Sequence, residues 1–124
     1  MRTQAYLLLA VAVVTAHVAL ADDLSVAKRE IAASSDVRVR MASALALGRS
    51  HDPSVRPLLE QALSDSSPAV RTAACAALGA LGDAAALPAL ERARGREVSA
   101  STRAQIESTI ASLTSRATLQ GVQL

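Results

Sequence analysis

At 124 residues the chain is long enough for one domain at most. Hydrophobic residues make up 51% of it, alanine foremost, with no Phe or Trp, so close helix packing rather than bulky side chains must supply the burial. The formal charge of +2, with both signs interspersed, argues against a nucleic-acid partner and against a strongly basic membrane patch.

Arg2 is followed by an apolar run from Ala5 to Ala16 broken only by Thr15, and Ala19-Leu20-Ala21 then precedes Asp22-Asp23. Charge, apolar stretch and a small-x-small site are the three parts of a secretory signal. Residues 1–21 are expected to be that signal, cut between Ala21 and Asp22, which places the mature chain in the periplasm or outside the cell. The alternative is a membrane anchor, because the run to Ala21 is about the minimum length of a spanning helix; His17 would lie inside it. Only if the segment is retained would the protein have a membrane as partner. No cysteine near Ala21 offers a lipid attachment point. Arginine outnumbers lysine twelve to one, Lys28 being the only lysine, a composition typical of GC-rich bacteria.

Cleavage would also remove Tyr6, the only aromatic residue. A mature chain without rings has no platform for stacking single-stranded bases and no cage for quaternary ammonium groups. It also lacks the aromatic anchors common at interfaces, so a protein partner must bring the bulky residues itself.

Leu24, Ala27 and Ile31 recur at helical spacing behind Asp22 and Asp23, which suit a helix start. Residues 22–34 are expected to form a helix that covers the open end of the fold. Two tandem segments follow, residues 35–65 and 66–96. At an offset of 31 they are identical at 12 of 31 positions, among them Val39/Val70, Arg40/Arg71, Gly48/Gly79, Asp52/Asp83, Pro57/Pro88 and Glu60/Glu91. Self-similarity at such a period marks a stacked repeat architecture.

Each segment reads as helix, turn, helix. In the first, Ser34, Ser35 or Asp36 caps a helix to about Leu47, with Val39, Ala42, Ala46 and Leu47 sharing its inward face. Gly48 is expected to end that helix in left-handed geometry, and His51-Asp52-Pro53 to turn the chain. The second helix then places Val55, Leu58, Leu59, Ala62 and Leu63 inward and Arg56, Glu60 and Gln61 outward. In the second segment Val70, Ala73, Ala74, Ala77, Leu78 and Leu81 form one continuous stripe. Gly79 and Gly82 break it before Asp83. Ala86, Ala89, Leu90 and Ala93 follow as an inner face, with Leu87 and Arg92 exposed. Beyond residue 96 the offset becomes 32, and residues 97–116 are expected to be a degenerate third repeat or cap, with 117–124 as a tail. The fold class is all-α, a short right-handed solenoid of about two and a half helix-turn-helix repeats.

The strings Val70-Arg71-Thr72-Ala73-Ala74-Cys75-Ala76-Ala77-Leu78-Gly79-Ala80-Leu81-Gly82-Asp83 and Ala86-Leu87-Pro88-Ala89-Leu90 resemble the short HEAT-like repeats of the phycobilisome lyase type. The first segment follows the same pattern, with Ser50-His51 where the motif prefers an apolar residue and glycine. The resemblance implies that the first-helix arginines and the turn aspartates form a structural ladder, so Arg40, Arg71 and Arg103 with Asp52 and Asp83 are expected to be internal partners. Related hydroxylases bind a metal pair through His-Glu dipeptides, and this sequence has none, so no metal and no cofactor is expected.

One histidine in the mature chain, His51, gives nucleophilic catalysis no base within reach of a Ser or Cys. An enzyme is not expected. Cys75, the only cysteine, cannot form an intramolecular disulfide and is expected to pack in a seam. The expected function is an exported scaffold or adaptor that holds another protein along its second helices through Arg56, Glu60, Gln61, Leu87, Glu91 and Arg92. The alternatives are a unit that self-associates into an assembly and a non-catalytic accessory subunit of a modifying enzyme.

Overall fold

A computed structural model describes residues 23–121. The signal segment with its Ala21/Asp22 cleavage site, and the last three residues of the tail, lie outside the described residues.

Helix α1 covers residues 23–33. It is followed by α2 (Val37–Arg49), a 3-10 turn (Pro53–Val55) leading into α3 (Arg56–Ala62), and α4 (Pro68–Leu81). A second 3-10 turn (Ala84–Ala86) leads into α5 (Leu87–Arg96), and α6 spans Ala100–Leu119. No strand occurs among the described residues, and the chain is a short all-α solenoid. The first helices α2, α4 and α6 lie side by side, while α3 packs on α4 and α5 on α6. Ala27 and Ile31 of α1 join the common core, and the order of helices is second, first, second, first, second, first.

Local chemistry fixes these boundaries. Asp36 caps α2 by accepting a hydrogen bond from the Arg38 amide at 2.8 Å. Asp52 and Asp83 do the same for the two 3-10 turns, accepting from Ser54 N at 2.9 Å and Ala85 N at 3.0 Å. Pro68, Pro57 and Pro88 each sit at the first or second position of a helix, where a missing amide proton goes unnoticed. Gly82 closes α4 in the left-handed region with φ 72. At the matching place in the first segment, His51 adopts the same region with φ 54.

Three sequence expectations change. Gly48 does not end α2 but lies inside it, where it is fully packed: a Cβ there would stand 2.6 Å from the Cα of Ala77. Glycine is needed at this point for close approach of α2 to α4, not for a turn. Gly79 likewise lies within α4. Val39 and Ala42 are exposed rather than inward, Val39 at 37%, because among the described residues no first helix covers α2 as α2 covers α4. Finally, α6 runs to Leu119 with Ala117 buried, so the first residues assigned to the tail are helical.

The core is built as its composition demands. Leu47, Leu59, Leu63, Leu78, Leu90, Ile106 and Leu113 are its largest buried side chains, and alanines fill the seams between them. Cys75 is one of these seam residues, fully buried in α4. Its carbonyl accepts a hydrogen bond from Thr109 of α6 at 3.3 Å.

Candidate functional site

The arginine ladder exists, but its partners are not the turn aspartates. Each first-helix arginine grips backwards, and Arg40 and Arg71 also grip forwards. Backwards, Arg40, Arg71 and Arg103 donate to the carbonyls of Ser34, Asp65 and Glu97, in every case six residues earlier. Forwards, Arg40 pairs bidentately with the Asp65 carboxylate at 2.8 and 3.0 Å, and Arg71 with Glu97 at 2.8 and 2.9 Å. Such planar two-point contacts are the stronger kind of ion pair. The carboxylates therefore come from the junctions between repeats.

Burial sharpens the second rung. Glu97 is 4% exposed, and its hydrogen bonds from Arg71 hold its carboxyl far below the ordinary value of 4.5, at about 2. The Arg40 guanidinium likewise lowers Asp65, and the carboxylates in turn raise Arg40 and Arg71.

Asp52 and Asp83 form a different connection. After capping its turn, each meets a cation of the preceding second helix. Arg56 of α3 reaches Asp83 at 3.0 Å and Glu60 at 2.6 Å, while Lys28 of α1 comes only to 3.8 Å from Asp52. Hydrogen bonds from Ser54 are the main cause of the lowered Asp52 carboxyl, with Lys28 a lesser one.

This pairing redistributes the expected partner-binding residues. Arg56 and Glu60 are half-buried and bound to each other, so the chain itself occupies them. Leu87 is half-buried against the core, and Glu91 holds Arg94 at 2.6 Å. Gln61 and Arg92 remain exposed. They occupy the same position in the two repeats, 31 residues apart.

Two shallow clefts flank this edge. One, of about 280 Å³, lies between α1 and α3 and is lined by Ile31, Ala32, Leu58, Gln61, Ala62, Ser64 and Asp65. The other, of about 410 Å³, is lined by Leu63, Ser64, Asp65, Arg71, Arg96, Glu97 and Val98. They share Ser64 and Asp65 and so run on from one another. Ser64, Arg96 and Val98 were not singled out by sequence reasoning; Arg96 donates to Ser64 at 2.8 Å, and Val98 is 91% exposed. A change of period from 31 to 32 at this junction was their one signal. Among the described residues no cluster of His, Cys, Asp and Glu suits a metal, and no helix is long and apolar enough to cross a membrane.

The sequence matches HEAT repeats over residues 26–111, well over half of the chain. The chain belongs to the HEAT repeat family. Repeats of this family generally mediate protein interactions. No curated protein matches the chain. Among solved structures it is similar to a chain in the crystal structure of epoxyqueuosine reductase with a tRNA-Tyr epoxyqueuosine-modified tRNA stem loop. The likeness has 31% identity and a TM-score of 0.57, and covers 61% of this chain and 20% of that one. This HEAT-repeat chain thus spans about a fifth of that protein's length.

Proposed function

We propose that this HEAT-repeat protein is an exported, non-catalytic interaction module that holds another protein along the edge formed by α3 and α5. The observation that carries this reading is the pair Gln61 and Arg92. While neighbouring charges on the second helices are bound within the chain, these two equivalent residues are exposed with no partner among the described residues. The ladder beneath them fixes one repeat against the next, so a partner would meet a surface that needs little ordering on binding. Apolar Leu58 and Val98 at the flanking clefts would receive bulky side chains from the other side. Export rests on the composition of residues 1–21, which would be cut at Ala21-Asp22.

A photo-crosslinking residue placed at Arg92 in cells tests both parts. The expected result is a chain that begins at Asp22 and cross-links to a foreign envelope protein, with a much lower yield from the same probe at Ala69 on α4. Equal yields would overturn the binding edge, and a retained Met1 would overturn cleavage.

The likeness to a tRNA-bound reductase favours a second reading, in which Arg92 and Arg96 of α5 meet a phosphate backbone. With no aromatic residue among those described, such binding would be almost wholly electrostatic, and its affinity would fall steeply with salt. Titration with a tRNA stem loop at physiological salt separates the readings.

A further inference from the structure

The two ends of the stack complement each other, and we propose that a second copy of this chain docks on the first end to end, with α1 and α2 of the incoming copy against α6. This contact is independent of whatever protein the α3–α5 edge holds. Among the described residues α6 is a first helix with no second helix packed behind it, and α1 is a second helix with no first helix in front of it. Placed behind α6, the α1 of an incoming copy completes that repeat. Its α2 then stands where a fourth first helix would stand.

The exposed apolar residues at the front end are those that a preceding first helix buries elsewhere. Val70, Ala73 and Ala77 of α4 are exposed by 0, 6 and 1%, lying under α2. Their equivalents Val39, Ala42 and Ala46 are the same residue types, yet Val39 is 37% exposed, Ala42 exposed and Ala46 half-buried. Together with Val26 they line a cleft of about 350 Å³ between α1 and α2.

The rear face follows by the same register. α4 meets α6 through Thr72, whose hydroxyl is 3.0 Å from that of Thr102, and through Gly79, which faces Thr109. Thirty-two residues on from Thr72 and Gly79 lie Ala104 and Ala111, both small and exposed on α6. Continuing the stack sets Ala104 against Val39 of the incoming copy and Ala111 against its Ala46. Small side chains at these points allow the close helix approach seen inside the molecule.

The ladder supplies the charge term. Arg103 makes the backward bond of its class, but among the described residues no carboxylate stands ahead of it as Asp65 and Glu97 stand ahead of Arg40 and Arg71. At the incoming copy that junction is residues 34–36: Ser34 holds the place of Asp65, and two residues on Asp36, which caps α2 through the Arg38 amide, presents an exposed carboxylate. The interface is heterologous, the front of one molecule on the back of another, so it leaves a free end at each step and builds chains rather than closed dimers.

Sedimentation velocity on the full chain, with two variants at exposed positions, tests this. Ala42→Arg blocks the front and Ala104→Arg the rear; circular dichroism checks that each keeps its helix content. The expected results are a wild-type mass that rises steadily with concentration, loss of association in each variant alone, and a heterodimer of one-to-one composition when the two are mixed, since each still offers one open end. A wild-type chain that stays monomeric at high concentration, a variant that associates by itself, or a mixture that remains monomeric would each overturn the proposal.

Discussion

Gly48 and Gly79 hold the same place in the two repeats, yet the residues opposite them differ, and so does the effect of a methyl group. At Gly48 an added Cβ would lie 2.6 to 2.9 Å from the Ala77 backbone and Cβ. Backbone cannot step aside as a flexible side chain can, so Gly48→Ala should destabilise the fold by about 2–3 kcal/mol. At Gly79 the nearest atom is the Thr109 Cγ2, an ordinary contact at 3.4 Å. Gly79→Ala should gain up to about 1 kcal/mol through lower backbone entropy in the unfolded chain. Urea unfolding of the two variants would check the opposite signs. His51 adds a third case, since its φ of 54 strains a residue with a Cβ whereas its counterpart Gly82 is at ease. His51→Gly should raise stability by about 0.5–1 kcal/mol, read as a higher melting temperature.

At the scale of elements, the helices were legible in the sequence because periodicity, capping Asp residues and first-turn prolines all point the same way. The connections between them were less so. Asp52 and Asp83 recur at the 31-residue offset and drew attention as ladder partners, but the carboxylates that the arginines reach are Asp65 and Glu97, which differ in type and lie 32 apart. A repeat alignment hides a pair whose members change identity. The candidate edge suffered similarly: no local pattern reveals that Arg56 is bound to Asp83 of the next repeat. The corrected ladder predicts an acid response. Glu97 folds with a carboxyl near 2 against an ordinary 4.5, so the unfolded chain binds more protons in that interval. Its stabilisation is complete above about pH 4.5 and fades as the pH falls towards 2, with Asp65 acting in the same direction. Glu97→Gln should flatten this part of the stability curve and cost about 2 kcal/mol at neutral pH, measured by urea unfolding across pH.

For the whole molecule, Cys75 is a built-in reporter. Its thiol is fully buried in α4, the helix that touches both α2 and α6, and burial pushes it up to about 12. Because the thiolate is the reactive form, labelling by a thiol reagent should be negligible in the folded chain. Its rate should rise with urea along the same slope as global unfolding; labelling through a shallower slope would mean that α6 opens by itself. The arginine rungs also give the stack a mechanical grading. Loaded along its length, the solenoid carries force through its junctions in series, and a series yields at its softest link. The Arg40–Asp65 and Arg71–Glu97 clips are short, two-pointed and shielded from water, whereas Lys28 holds Asp52 across 3.8 Å with both partners about two-fifths open to solvent. Under tension α1 would peel away first while the rest stays intact, so the molecule would answer a pull by lengthening at one end before it breaks.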